Sequence, residues 1–424
     1  MKRFRSFFRL MMVSVVAAAT LFAGSQSFAA DKLHLKDGKV LEGSIVAEGK
    51  GWVQFTYSIA GIEQTRMFLD NEYKQVEKDA TVKSVVATDK NAGVAASSEK
   101  KPGVTRVAIL NFGPPSDWSE QCGNMVGVEI SAEAYKNAIP MLKKQNVDVV
   151  VIRVNSGGGY TLEMERFQDL FHNEYKKNFR TVAWIESAIS AAAMSPWVIE
   201  EFYFMKKGNM GACTEWSGAL QASKDVRLAM ILHKMEVASS KGGHNPFIMR
   251  AMQIQQGLSV TKDPVTGKIT WFDNTTSGKK IINPDNGVLT INSIDAVEYG
   301  LARAIADNTQ ELCRAMLGEN AEYEIIAQDV SAYVDNFMRE QTKAEKTAVE
   351  VAIKYTRAVA LAQAVQDKQE RGAQVNIAKK QLAQLRKWVK MNPNMEFHLA
   401  NQIGALLDEE WFRIQEEMLR DLLK

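Results

Sequence analysis

The chain has 424 residues, 46% of them apolar and 24% charged, with 52 Lys and Arg against 50 Asp and Glu. That is the composition of a globular protein with room for two or three domains; it excludes a disordered or collagen-like chain, and a charge balance so near zero carries no nucleic-acid footprint. Cys122, Cys213 and Cys313 are widely spaced, with no CxxC pair and no histidine cluster. They offer neither a metal site nor a disulfide scaffold, leaving isolated thiols or a single disulfide in an exported protein.

The chain opens with Lys2, Arg3, Arg5 and Arg9, an apolar stretch from Leu10 to Ala23, and small residues at Ser27 and Ala29. This layout predicts a signal peptide over 1–29, cleaved after Ala29; the alternative is an uncleaved anchor, although the stretch is shorter than the ~20 residues that span a bilayer. Cleavage takes the formal charge from +2 to −2. The expected location is exported, periplasmic or otherwise extracytoplasmic, with proximity to a membrane if the first segment is retained.

Residues 31–79 alternate apolar and polar positions over short runs, with Asp37-Gly38 between two of them. They predict a small antiparallel barrel or sheet of SH3-like or Sm-like size. Residues 80–103, rich in Ala, Ser, Lys and Val without a period, read as a linker.

Residues 104–317 alternate buried strands with amphipathic helices: VTRVAILNF, a helix through Ile130, Ala134, Ile139 and Leu142, VDVVVIRVN, a helix from Thr161, and then TVAWIE. Near-continuous apolar strands separated by such helices predict an α/β domain with a parallel sheet covered on both faces. From 318 to 424 the β signal disappears. A long helix is expected between Gln341 and Met391, broken near Gly372 and stopped before Pro393, followed by the stripe Leu399, Ile403, Leu407, Trp411, Ile414, Met418 and Leu422. A stripe at that spacing packs on the protein's own core or on another subunit.

Two stretches carry chemistry. The strand ending at Asn155 runs into Ser156-Gly157-Gly158-Gly159, and three glycines after a buried strand allow a sharp turn with bare N–H groups. The next strand runs into Ser187-Ala188-Ile189-Ser190-Ala191-Ala192-Ala193, where small neighbours let a substrate backbone approach one hydroxyl at a helix start. A serine N-cap on a helix of packed small residues explains the same pattern without catalysis.

Together with the later segments Asn209-Met210-Gly211-Ala212-Cys213 and Leu289-Thr290, Ala296, Gly300 and Ala304, these stretches resemble the Clp-protease/crotonase superfamily over Val104 to Leu317. The chain is most similar there to signal peptide peptidases and NfeD-like serine proteases. The resemblance implies a spiral of β-β-α units, Ser190 as nucleophile, and an oxyanion hole from the amides of Gly158 or Gly159 and of Ala191. Gly157 stands where proline is usual, and Ala192 replaces a glycine.

A serine hydroxyl needs a base. Glu215 occupies the place of a Clp-type histidine, and His34, His172, His233, His244 and His398 are poorly placed. The resemblance points to Lys224 at the start of a helix, with Lys206, Lys207 and His233 next in order. A lysine serves only if burial and nearby positive charge favour its free amine; Arg227 would help and Asp225 would oppose.

The expected protein is thus an exported or membrane-associated serine endopeptidase with a Ser-Lys dyad and no cofactor or metal. It would act on extended polypeptide segments and assemble as a homo-oligomer. The alternatives are a catalytically silent scaffold or peptide-binding protein of the same fold and, more remotely, a crotonase-type acyl-CoA enzyme.

Overall fold

The computed structural model describes residues 31–36, 38–49, 52–59, 62–69, 73–77, 100–217 and 221–424. The expected signal peptide, 1–29, and the expected linker up to residue 99 lie outside the described residues. The chain divides into two compact units, 1–94 and 95–424.

The first unit is a five-stranded antiparallel sheet of β1 (Asp31–Leu35), β2 (Val40–Gly49), β3 (Trp52–Ile59), β4 (Ile62–Leu69) and β5 (Tyr73–Glu77), in the order β4-β3-β2-β1-β5. Val53, Phe55 and Tyr57 alternate on one face of β3 and form its core with Leu33 and Phe68. The expected barrel is not closed: β4 and β5 are the two edges, with no ladder between them among the described residues.

The second unit is built on a mixed α/β sheet. Its centre is four parallel strands, β6 (Thr105–Phe112), β8 (Val149–Ser156), β10 (Arg180–Ile189) and β11 (Glu201–Gly211), adjacent in the order β11-β10-β8-β6. A short parallel pair, β7 (Met125–Val126) and β9 (Gly158–Gly159), stands apart from them. The strand Thr290–Asn292 lies antiparallel against β11 and Tyr323–Ile325 parallel against β6, closing the two edges.

The strands are apolar on both faces because both faces are covered. One face packs α1 (Ala132–Lys144) and α2 (Thr161–Leu170) through Phe112, Tyr135, Phe167 and Phe171, whose ring centroids lie 4.8 to 6.5 Å apart. The other packs Val107, Val151, Trp184 and Tyr203 against Leu312, Cys313 and Met316 of the helix Thr309–Leu317. Further helices are α3 (Lys176–Asn178), the single turn α4 (Ala191–Met194), α5 (Asp225–Gly242) and α6 (Pro246–Gln253).

The helical tail belongs to this second unit. Helices Gln328–Ala364 and Lys368–Met391 form an antiparallel hairpin with Tyr355, Ala358, Ala362, Val375, Leu382, Leu385 and Trp388 between them. The break falls at Val365–Asp367, not near Gly372, which sits inside the second helix. Asp367 starts that helix by accepting Glu370 N–H at 2.8 Å, a cap that outweighs the ~1 kcal/mol cost of an internal glycine. The stripe from Leu399 to Leu422 is interrupted by a turn at Gly404, with φ of +76°; Leu399, Leu407, Phe412 and Leu419 bury themselves within the tail, while Ile414 stays exposed.

Candidate functional site

The C-terminal ends of β8, β10 and β11 bring together Asn155–Gly159, Ser187–Ser190 and Asn209–Gly211. Against β8, strand β10 carries one extra residue between Ile185 and Ser187, so Glu186 sits in a bulge, whereas against β11 the extra residues are Met205–Gly208 of β11 itself; the two irregularities re-aim the ends of both strands. Arg153 fixes this bulge by donating to Glu186 from Nε at 3.1 Å and Nη2 at 2.9 Å, and the Ser116 N–H adds a 2.9 Å bond.

Ser190 follows with φ +56° and ψ −126°. This is the backbone of the first central position of a type II′ turn, normally held by glycine, and a side chain there costs of order 1–3 kcal/mol. The strain is locked by bonds on both sides. Ser190 N–H donates to Gly211 C=O at 2.9 Å, while Ser190 C=O accepts from Ala193 and Met194 at 2.9 and 3.1 Å.

The helix expected after Ser190 is only one turn, and all four of its residues are buried. Although Ser190 occupies the N-cap position, its hydroxyl makes no capping bond. With so short a helix the local N–H groups matter more than a macrodipole, and by position those of Ala191 and Ala192 have no intrahelical acceptor.

The glycine turn lies against the serine. Gly158 has φ +106°, and a Cβ there would stand 2.6 Å from Ser190 Cβ, 2.9 Å from Ile189 O and 3.1 Å from Ser190 Oγ. Only a glycine backbone passes so close. Gly159 instead backs onto β7, where a Cβ would meet Val126 O at 2.1 Å. Of the two glycines left open by the sequence, Gly158 is therefore the one beside Ser190. Its N–H holds a long 3.2 Å bond to Ser156 Oγ, whose own proton goes to Asn124 O at 2.6 Å.

The lysine side is built differently. Lys224 is the N-cap residue of α5 and is exposed, and among the described residues no hydrogen bond or ion pair engages its ammonium or joins it to Ser190. The burial expected for it is not found. Nor is Arg227 a free cation, because Glu215 accepts its Nε at 3.1 Å and Nη2 at 3.3 Å. Glu215 also accepts Ser223 Oγ at 2.7 Å and Thr161 Oγ1 at 3.3 Å, tying the entry of α5 to the start of α2. Burial alone would raise this carboxyl, but the bonds from Arg227 and Ser223 hold it below the usual range.

The other expected bases are engaged elsewhere or exposed. Lys206 and Lys207 are exposed on β11, with the Lys206 backbone bonded to Asp307 and Ser293, and His233 is exposed on α5. His244 is half-buried between Trp197 and Phe202, its Nε2 on Ile199 O at 2.8 Å, and loss of water around the ring pushes it down to about 4. Cys213 touches Ser190 O at 3.6 Å through a buried thiol that burial pushes well up.

Tyr160, next to the glycine turn, bonds His398 at 2.7 Å, and Asn392 and Asn394 reach Gly127 and Val128. Sequence reasoning set His398 aside as a residue of the tail and missed the two asparagines; the signal they offered was the polar cluster around Pro393.

No protein-family model and no curated protein matches the chain. Among solved structures, a lysine-to-alanine mutant of the membrane-bound stomatin-specific protease 1510-N in complex with a substrate peptide is similar over 55% of this chain and 98% of that one, at 12% identity and a TM-score of 0.37. The 1510-N membrane protease specific for a stomatin homolog from Pyrococcus horikoshii covers 54% of this chain and 96% of its own, at 11% identity and 0.33. ClpP1 from Listeria monocytogenes covers 49% and 94%, at 13% identity and 0.29.

Proposed function

We propose that the chain is a serine endopeptidase of the Clp/crotonase kind, exported or membrane-associated, acting on extended polypeptide and assembling as a homo-oligomer. One observation carries the reading: Ser190 is held in a glycine-like conformation, with an unbonded hydroxyl against Gly158. A merely structural serine gains nothing from that strain.

In the reaction Ser190 Oγ attacks the scissile carbonyl carbon while the base takes the hydroxyl proton. The carbonyl oxygen becomes an oxyanion between the N–H groups of Gly158 and Ala191, the Gly158 donor exchanging its long bond to Ser156 for a charged acceptor. Collapse breaks the C–N bond, the base protonates the departing amine, and water hydrolyses the acyl-enzyme by the same route. Lys224 is the assigned base. Because it is exposed, bound substrate must bring it to Ser190 and remove water from its ammonium.

The test is cleavage of a peptide library by the purified protein, by Ser190→Ala and by Lys224→Ala. The reading expects both variants to lose turnover while remaining folded; identical background cleavage by wild type and Ser190→Ala overturns it. The exposed, unbonded Lys224 favours a second reading, a peptide-binding member without turnover. That reading expects wild type and Ser190→Ala to bind the same peptides equally, with neither cleaving them.

A further inference from the structure

Strands β7 and β9 are two residues each, too short to hold their own geometry, and yet β9 is the strand that sets Gly158 against Ser190. What holds the pair comes from the C-terminal tail, more than 220 residues further along the chain.

On one side, Asn392, fully buried just after the second tail helix, donates from Nδ2 to Val128 O at 2.7 Å and Gly127 O at 3.3 Å. Asn394 donates to Gly127 O at 2.9 Å and to Glu163 Oε2 at 3.0 Å. Buried Glu163 accepts Ser131 Oγ at 2.9 Å and Ala132 N–H at 2.7 Å, joining this contact to the first turn of α1.

On the other side, Tyr160, the residue after Gly159, bonds Val126 O through its N–H at 2.9 Å and His398 Nδ1 through its hydroxyl at 2.7 Å. The opposite ring nitrogen of His398 meets Glu345 Oε1 at 3.1 Å. That nitrogen faces a carboxylate and so donates, leaving Nδ1 to accept from the tyrosine hydroxyl. Glu345 in turn lies near enough to Glu129 for the two carboxyls to influence each other, and Glu129 Oε2 accepts Met125 N–H of β7 at 3.0 Å. Burial above all, and then the neighbouring Glu345, raises the Glu129 carboxyl to about 7. The hydrogen bonds Tyr160–His398–Glu345 thus tie the end of β9 to the first tail helix, which places Glu345 beside the Glu129 that holds β7.

We propose that Asn392, Asn394 and His398 are positioning residues: the helical tail clamps the C-terminal end of the β7–β9 pair, through the residues that follow each strand, and keeps Gly158 seated against Ser190. The proposal rests on the reading of Ser190 as nucleophile, although the clamp itself can be measured without turnover. Cutting the clamp frees the glycine turn while leaving the substrate's other contacts in place, so kcat should fall and KM should hold.

The experiment uses the full chain with His398→Ala, His398→Gln and Tyr160→Phe, reading hydrogen–deuterium exchange by segment and peptide cleavage. His398→Ala should speed exchange in 125–128 and 157–160 by tenfold or more, with the central strands unchanged, and lower kcat about tenfold at constant KM. His398→Gln, which can both accept from Tyr160 and donate to Glu345, should restore most of both.

Unchanged exchange at 157–160 in His398→Ala overturns the clamp, as does faster exchange with kcat unaltered. If His398→Ala loosens the whole tail, Tyr160→Phe decides: it removes a single hydroxyl from a partly exposed ring, and at least threefold faster exchange confined to 157–160 is required. If wild type cleaves nothing, the serine-protease reading fails, while the exchange pattern still upholds or overturns the clamp.

Discussion

The two sides of Ser190 are built on opposite principles. The glycine-turn side is fixed before any ligand arrives, by a strained serine, a glycine that admits no Cβ, and bonds from elements more than 200 residues apart in sequence. The lysine side rests on one carboxylate, Glu215, and ends in an exposed ammonium. Electrostatic stabilisation of an oxyanion is effective only when its donors need no reorganisation, whereas a base can be completed by closure over substrate. On the proposed reading, the difference puts preorganisation on the glycine side and completion by substrate on the lysine side.

The largest effect should come from breaking the fixed side. In Gly158→Ala the new methyl group would meet Ser190 Cβ and Ile189 O below 3 Å at a φ of +106°, so the turn must move and take its N–H with it. Loss of one oxyanion donor lowers kcat about 100-fold or more. Peptide cleavage with circular dichroism as the folding control checks this; activity within tenfold of wild type would show that the turn is less rigid than its geometry requires.

Helix α5 carries the contrast within itself. From Ile231 onward it is anchored by buried Ile231, Met235 and Ala238, with Ser239 Oγ accepting Trp197 Nε1 at 2.8 Å, and His244 is stacked on Phe202 just beyond its end. His244 is held down to about 4 in the fold, against 6.5 for a free imidazole, chiefly by burial. Its contribution to stability is therefore complete above pH 6.5 and is lost as pH falls toward 4, by about 3 kcal/mol. Glu129 and Asp335, raised to about 7 and about 6 mainly by burial, act in the opposite direction, because the folded chain binds their protons more readily than the unfolded one. The effect is isolated by comparing wild type with His244→Phe in denaturant melts. The stability advantage of wild type should shrink by about 3 kcal/mol between pH 7.5 and pH 4. A constant difference would show that the anchor does not titrate.

The lysine side is probed by Glu215→Gln, which keeps the shape and removes the charge that engages Arg227. Arg227 is exposed, so the ion pair itself contributes little to stability. The expected cost is about tenfold in kcat/KM from a looser entry to α5, well below that of Gly158→Ala. A loss as large as that of Gly158→Ala would mean that both sides are preorganised.

What was legible in the sequence divides along similar lines. The central strands and Ser190 could be read because burial on both faces forces continuous apolar runs, and because a close backbone approach requires small neighbours. The turn at Gly158 was readable to within one residue, since three consecutive glycines satisfy the same local rule and only the packing of Gly159 on Val126 separates them. The clamp was not readable: Asn392 meets Val128, and His398 meets Tyr160, across 264 and 238 residues, and no periodicity encodes such pairings. The tail break was misplaced because Gly372 is tolerated inside a helix, whereas the decisive feature was Asp367, a short polar side chain able to cap. The open edge of the first sheet was equally hidden, since alternation specifies strands but not whether the last one pairs with β4.

The smallest effect bears directly on the strain at Ser190. Ser190→Gly removes the proposed nucleophile and also relieves a conformation that a glycine adopts without penalty, whereas Ser190→Ala removes the same hydroxyl and keeps the strain. Both should be inactive, but they should differ in stability. The relief is partly offset by the greater freedom of glycine in the unfolded chain, leaving Ser190→Gly about 1 kcal/mol more stable than Ser190→Ala. Paired urea melts with equal m-values measure the difference directly. A glycine variant no more stable than the alanine one would mean that the turn imposes no strain on its side chain, and the fixed side of the site would then rest on its hydrogen bonds alone.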